Sequence, residues 1–337
     1  MKNLQIHSLP LKDVISDLAE KLGIEYSTNC DEYTLTIPPE IGEGTIVGIN
    51  FESGLGLLIY RCRFITDVEI SFTVDKIHPL KFLFCLEGSL KHRFEKQTEI
   101  HQLERYQNII VASPNHDGHI INFKKDETTE IYSIEIVREI FKSKMACELS
   151  KSSPNLQRIF DDDSSQFYYN GNYSLNLAEI FEEMKGQNYE PLIGKLFSET
   201  QSYRVLTQQL IQFDDDNSDG EKKVLRKAEV SAIVKAVEMM KTELENLGTL
   251  SSIAKRVGLT NEKFQNGFKK LYGKTANEYL QTLRLNLAKD LLTNSDLTIQ
   301  EIKYKVGFNS HSYFSQLFKS IYDVSPTYFR KNQKQST

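Results

Sequence analysis

Apolar residues first recur at helical spacing, at Val14, Ile15, Leu18 and Leu22. The period then shortens. Between residues 33 and 136, short apolar or alternating runs follow one another: Tyr33–Ile37, Thr45–Phe51, Leu55–Phe64, Val68–Phe72, Lys81–Leu86, Leu90–Phe94, Asn108–Ala112, His119–Phe123 and Glu130–Ile136. Turn-forming clusters separate them, among them Glu52-Ser53-Gly54, Glu87-Gly88 and Pro114-Asn115-His116-Asp117-Gly118. Many short strands at roughly 8–12-residue spacing predict an antiparallel sandwich or barrel.

The helical period returns at Leu175–Met184 and Pro191–Phe213, where Leu192, Leu196, Tyr203, Leu206 and Leu210 fall near i, i+3, i+4 positions. The acidic run Asp161–Ser165 reads as a loop, and Asp214–Glu221 as the best linker in the chain. A division follows into residues 1–145, a helical connector at 146–220, and a helical, basic segment at 221–337.

That last segment contains a repeat. Ile253, Val257 and Gly258 recur 49 residues later as Ile302, Val306 and Gly307. Phe264, Phe268, Lys269 and Tyr272 recur 50 later as Phe314, Phe318, Lys319 and Tyr322. Each copy reads as helix, glycine turn, helix. The glycine suits the left-handed residue that ends a helix, and Thr260 suits the N-cap of the next. Thr275–Glu278 and Thr298–Glu301 have capping-box spacing, and Ser325-Pro326 places proline at a first helical position. Phe264, Phe268 and Leu271 are expected inward in the first copy, and Tyr313, Phe314, Leu317 and Phe318 mostly so in the second.

Charge changes the picture. The whole chain carries a net −5, which by itself argues against nucleic acid. Arg226–Thr337 holds 18 Lys+Arg against 10 Asp+Glu, a net of +8, and the remainder carries −13. An acidic body with a basic C-terminal third is the electrostatic outline of a tethered DNA-binding domain. A lone helix pair of this kind is more often a core hairpin; two matched copies on a basic segment favour DNA.

Ile253–Tyr279, Arg284-Leu285, Ala288, Leu291-Leu292 and Ile299–Arg330 resemble the AraC/XylS transcription-regulator DNA-binding domain. Two residues depart from its pattern: Lys303 where a small Ala is usual, and Asp323 where Gly is usual. The resemblance implies two helices in successive major grooves of double-stranded DNA. Glu262, Gln265 and Asn266 would face bases from the first, and His311, Ser312, Ser315 and Gln316 from the second. Gln and Asn can pair bidentately with adenine, and Glu can accept from cytosine. Lys269 and Lys319 suit phosphates. The N-terminal strands resemble the cupin-like effector barrel of that family. Pro191–Phe213 with Leu225–Glu229 looks like its siderophore-responsive, PchR-like branch.

Other chemistry is weaker. His92, His101, His116 and His119 cluster in the strand region, but the His-x-His pair with a downstream Glu expected of a catalytic cupin is absent. No Gly-rich phosphate loop, nucleophile elbow or catalytic carboxylate pair appears. The four cysteines (Cys30, Cys62, Cys85, Cys147) are widely spaced and read as reduced, packed thiols. Tyr168, Tyr169 and Tyr173 read as packing between the helical segment and the strands. No run approaches the ~18 apolar residues of a membrane span, so a soluble, cytoplasmic chain is expected.

The fold class expected is α+β: an N-terminal cupin-like antiparallel β-barrel for effector sensing, a helical connector that dimerises through Pro191–Phe213, and a C-terminal all-α domain with two helix-turn-helix units. The expected function is ligand-responsive, sequence-specific DNA-binding transcription regulation. Its partners would be DNA, a small effector such as a siderophore, a second copy, and RNA polymerase if it activates, with no membrane, catalytic residue, metal or cofactor. The rival reading is a metal-dependent cupin enzyme fused to a DNA-binding module.

Overall fold

The computed structural model describes residues 2–7, 10–73, 78–114, 117–161, 166–217, 225, 227–245 and 247–333, the side chains of Lys227, Asn332 and Gln333 excepted. His116, most of the acidic loop after Asp161, the end of the expected linker at 218–221, and Arg226 lie outside the described residues. Two compact units divide the chain, Met1–Lys223 and Val224–Thr337. The stretch 146–220 therefore belongs to the same unit as the strands.

In the first unit the chain runs through β1 (Lys2–Ile6), α1 (Leu11–Leu22), β2 (Tyr26–Asn29), β3 (Glu32–Thr36), β4 (Gly42–Asn50), β5 (Leu55–Phe64), β6 (Val68–Phe72), β7 (Leu80–Glu87) and β8 (Ser89–Phe94). It continues with β9 (His101–Glu104), β10 (Asn108–Ala112), β11 (His119–Phe123), β12 (Thr129–Ile136), α2 (Arg138–Lys144), α3 (Ala146–Leu149) and α4 (Pro154–Asp161). β13 (Phe167–Asn170), α5 (Leu175–Glu183) and α6 (Pro191–Asn217) complete it.

The strands form two sheets, of order β1-β6-β11-β8-β9 and β13-β10-β7-β12-β5-β4-β3-β2. The sheets share no strand, so the expected barrel is not closed. Nor is it wholly antiparallel, because β1 runs parallel to β6. Between the sheets lies one core, with Ile70, Phe72 and Ile121 from the smaller meeting Leu58, Tyr60, Leu83 and Ile131 from the larger. The opposite face of the larger sheet, including Leu57, Phe82, Phe84 and Ile134, is covered by Phe141 of α2, Phe160 of α4, Phe181 of α5 and Leu206 of α6. Burial on both faces explains why β5, β7 and β12 read as nearly continuous apolar runs instead of alternating ones. Each fully buried Leu, Ile or Phe contributes roughly 1.5–3 kcal/mol of transfer free energy.

Several expectations change here. Leu206 is 3% exposed and belongs to this core, so it cannot serve a dimer surface. The start of α6 holds a cluster of exposed apolar residues, with Leu192 71%, Ile193 52% and Leu196 57% exposed, and Ile211 stands exposed alone further along. Tyr168 and Tyr169 sit on a strand, β13, paired to β10, and Tyr169 packs α6 onto the sheet as expected, its ring centroid 5.1 Å from that of Phe213. Tyr169 donates to Asp216 Oδ2 at 2.5 Å, and Tyr173 donates to Glu104 Oε2 at 3.0 Å. Cys62 and Cys85 are buried free thiols, but Cys30 and Cys147 are exposed, against the packing expected of all four.

The second unit comprises α7 (Lys227–Thr242), α8 (Leu250–Arg256), α9 (Asn261–Tyr272), α10 (Ala276–Asn294), α11 (Ile299–Lys305), α12 (His311–Tyr322) and α13 (Pro326–Gln333). No described helix of either unit is long and apolar enough to cross a membrane.

Candidate nucleic-acid interface

The repeat folds as two helix-turn-helix units, α8–α9 and α11–α12, with matching N-caps and turn bonds. Thr249 and Thr298 cap the first helices by accepting from Ser252 N and Glu301 N. At the turns, Leu259 N donates to Ala254 O and Phe308 N to Lys303 O, both at 2.9 Å. The intervening Gly258 and Gly307 have φ of 77° and 82°, a region where a side chain clashes with its own backbone. Thr260 and Ser310 then cap α9 and α12. The capping boxes Thr275–Glu278 and Thr298–Glu301 are both present, and Ser325 Oγ accepts from Tyr328 N ahead of α13.

The inner faces pack as the pattern predicts in the first copy, where Phe264, Phe268 and Leu271 are buried. Gly267 lets α9 lie against α7, since a Cβ there would meet Ile233 Cδ1 at 2.9 Å. In the second copy Phe314 and Phe318 are buried. Tyr313 is not inward: it is 46% exposed, and its hydroxyl accepts from Gln281 Nε2 on α10 at 2.7 Å.

The two family departures are accommodated. Lys303 is 4% exposed; its stem fills the position while Nζ reaches Asn309 O at 3.2 Å and lies 3.5 Å from the Tyr304 ring centroid. The amine thus caps a turn carbonyl just before α12. Asp323 adopts φ 60° and donates its N–H to Lys319 O at 2.9 Å, as Gly273 does to Lys269 O at 3.0 Å. Asp tolerates this left-handed position better than most residues.

On the outward faces, Glu262, Asn266 and Lys269 are exposed along one stripe of α9. Ser312, Gln316 and Lys319 are exposed at the matching positions of α12, 50 residues on, and His311 is exposed at its start. Gln265 and its repeat mate Ser315 are only half-exposed. Gln265 Oε1 accepts from Ala276 N at 3.3 Å, so that side chain is turned to the start of α10. Each stripe thus offers amide, hydroxyl or carboxylate groups near the helix N-terminus and an ammonium one turn later, the order in which base edges and phosphates are met.

Sequence reasoning passed over residues that fix the recognition helices. Lys263 Nζ lies 2.9 Å from Glu229 on α7, the counterpart of the Gln281–Tyr313 contact. Arg256 makes two 2.8 Å bonds to Glu243. Arg284, half-buried, lies beneath the second turn with its guanidinium carbon 5.5 Å from the Phe308 ring centroid. A partner two helices away leaves no mark in the local pattern.

In the first unit, the expected histidine cluster is partly assembled. His92 and His119 lie together between the sheets, ring centroids 5.5 Å apart. His101 stacks on Tyr168 at 3.8 Å. Among the described residues no three His, Cys, Asp or Glu side chains are placed to hold a metal ion.

Residues 43–224 match the family described as the regulatory protein PchR N-terminal domain, and residues 253–332 match a helix-turn-helix domain. The transcriptional regulator AlkR of Acinetobacter baylyi is 30% identical over 198 residues, covering 58% of this chain and 62% of AlkR. The transposon Tn10 TetD protein of Escherichia coli is 38% identical over 84 residues, 25% of this chain and 61% of TetD. An AraC-type regulator from Chromobacterium violaceum, known as a crystal structure, is 26% identical, with a TM-score of 0.30, covering 33% of this chain and 100% of that one. The chain thus spans about three fifths of the length of AlkR and TetD.

Proposed function

Because the chain belongs to the family of PchR-type regulatory proteins with an AraC-type helix-turn-helix domain, we propose that it is a ligand-responsive, sequence-specific DNA-binding transcription regulator. The observation that carries this reading is the matched pair of exposed stripes: Glu262, Asn266 and Lys269 on one capped helix, and Ser312, Gln316 and Lys319 on the other. A structural helix pair has no reason to repeat its solvent face in register. The net +8 of Arg226–Thr337 supplies the sequence-independent attraction to phosphate.

In this reading the first unit senses a small molecule and biases DNA binding by the second. The start of α6 serves self-association, because Leu192, Ile193 and Leu196 are exposed there. Siderophores are the first effectors to screen, and contact with RNA polymerase follows if the protein activates.

The test is recovery of genomic fragments by the purified full-length chain, sequenced with and without candidate effectors. A shared two-part motif among the recovered fragments is expected. Indiscriminate recovery, or an affinity indifferent to salt, would count against the reading, since releasing counterions from neutralised phosphates makes such affinities fall steeply with salt.

A further inference from the structure

The core between the two sheets is apolar except at one end. There His78, just before β7, Lys81 on β7, His92 on β8, His119 on β11 and Glu135 on β12 are each 5% exposed or less. Lys81 Nζ donates to Glu135 Oε1 at 2.9 Å and stands 4.1 Å from the Phe72 ring centroid. Phe72 in turn stacks on His119 at 4.9 Å. His119 lies 5.5 Å from His92 and 6.3 Å from His78, centroid to centroid.

Both ring nitrogens of His92, both of His119, and Nε2 of His78 have no hydrogen-bond partner. Burial holds His92 down at about 3 and His78 at about 4. His119 is held well below its usual value by the same cause, and the Lys81 charge adds to all three. The imidazoles are therefore neutral, each with one N–H to give and one lone pair to share. Native interiors seldom leave such groups orphaned, and a cluster of them marks a missing partner.

The electrostatics choose the kind of partner. A cation at the imidazoles would meet the Lys81 ammonium, and among the described residues no three ligating groups converge. An anion is attracted by that ammonium, of whose three N–H groups Glu135 takes one. We propose that this end of the intersheet core binds a compact organic anion, a carboxylate on a flat apolar body. Its oxygens would be held by Lys81 Nζ and the N–H groups of His92 and His119, and its body would lie against Phe72. The proposal rests on the reading of the first unit as the sensing unit and names the chemistry of what it senses.

The experiment is calorimetric titration of the full-length chain with benzoate, with benzamide as the uncharged isostere and ZnCl₂ as the metal arm. Benzoate is expected to bind one per chain, with benzamide at least tenfold weaker. His92→Phe, which keeps a ring but removes the N–H, should weaken benzoate tenfold or more. The paired Lys81→Met/Glu135→Gln, which strands no buried charge, should abolish it. Histidine-selective NMR of the unsubstituted chain gives a readout independent of variant folding: benzoate should shift the His92 and His119 ring signals and leave exposed His311 unmoved. Absence of benzoate binding, equal binding of benzamide, or stoichiometric zinc lost in His92→Phe would each overturn the site. Benzoate bound at these residues without any change in DNA affinity would instead overturn the sensing reading and leave the site standing.

Discussion

Gln265 accepts the backbone N–H of Ala276 at 3.3 Å, and the second copy cannot repeat the bond. Fifty residues on, Ser315 replaces the glutamine and Pro326, which has no N–H, replaces the alanine. The glutamine expected to read a base joins α9 to α10, which makes exposed Asn266 the expected reader on that helix. Gln265→Ala is expected to cost about 0.5–1.5 kcal/mol of stability and to weaken all DNA sequences alike. Asn266→Ala should leave stability unchanged and relax preference at one base pair by about 1–3 kcal/mol. Binding to a library of single-base operator variants separates the two, and a base-specific loss for Gln265→Ala would return that residue to the DNA.

The two turn glycines differ in what surrounds them. A Cβ on Gly258 meets nothing within 4 Å, whereas one on Gly307 would meet Leu244 O and Arg284 Nη2 at 2.8 Å. Both alanine variants bear the left-handed cost of about 1–2 kcal/mol. Gly307→Ala adds a steric cost of about 1–3 kcal/mol. Denaturant titration of the full chain should rank Gly307→Ala as the more damaging; equal losses would mean that both Arg284 and the Leu244 carbonyl yield freely.

Self-association should depend on the start of α6 and not on its middle. Leu192→Asp with Leu196→Asp is expected to give a monomer by light scattering where the unsubstituted chain is a dimer, with melting unchanged because both side chains are exposed. Leu206→Asp buries a charge in the core and should unfold the first unit instead. A dimer surviving the Leu192/Leu196 pair would move the contact elsewhere.

Acid should unfold the first unit, and the sign follows from its buried imidazoles. His78 and His92 are held at about 4 and about 3 in the folded chain, against about 6.5 when unfolded. Below pH 6.5 the unfolded chain takes up protons that the native chain refuses. Stability present above that pH is therefore lost as pH falls toward 4 for His78 and 3 for His92. At pH 5 the loss is on the order of 2 kcal/mol for each group. Melting curves from pH 7 to 5 should show this slope, and His92→Phe should flatten it; an unchanged slope would mean that His92 is protonated in the native state.

The helix-turn-helix repeat was legible because caps, glycine turns and aromatic spacing are local, and the structure places them as read at Thr260, Gly258, Gly307, Ser325 and Pro326. The strands from β3 to β12 were legible for the same reason, apart from the short edge strand β9. β1, β2 and β13 carry no such run, and pairing makes them strands: Lys2–Ile6 has its parallel partner more than sixty residues away. Tyr313 is exposed and Leu206 buried against expectation, on helices whose positions agree with the pattern. Periodicity says which side of a helix is apolar, but not what another helix offers to the borderline positions. The Lys81–Glu135 pair left no sequence signal, since each residue alone resembles a surface charge interrupting a strand.

α10 joins the two helix-turn-helix pairs, and α9 and α12 are both tied to its first two turns, through Ala276 and Gln281. Recognition helices so fixed should enter one face of the duplex in successive major grooves, about 34 Å or 10 bp apart. Each chain should then protect two short half-motifs at that spacing. Asn266→Ala should blur one and Gln316→Ala the other. Because Lys303 caps a carbonyl and Asp323 keeps the helix-ending geometry of Gly273, the second effect should match the first instead of falling below it. Lys269→Ala and Lys319→Ala should each weaken all sequences and reduce the salt slope by about one. Footprinting checks the geometry: a single protected half-motif, or one that responds to Asn266→Ala and Gln316→Ala alike, means that only one unit reads the DNA.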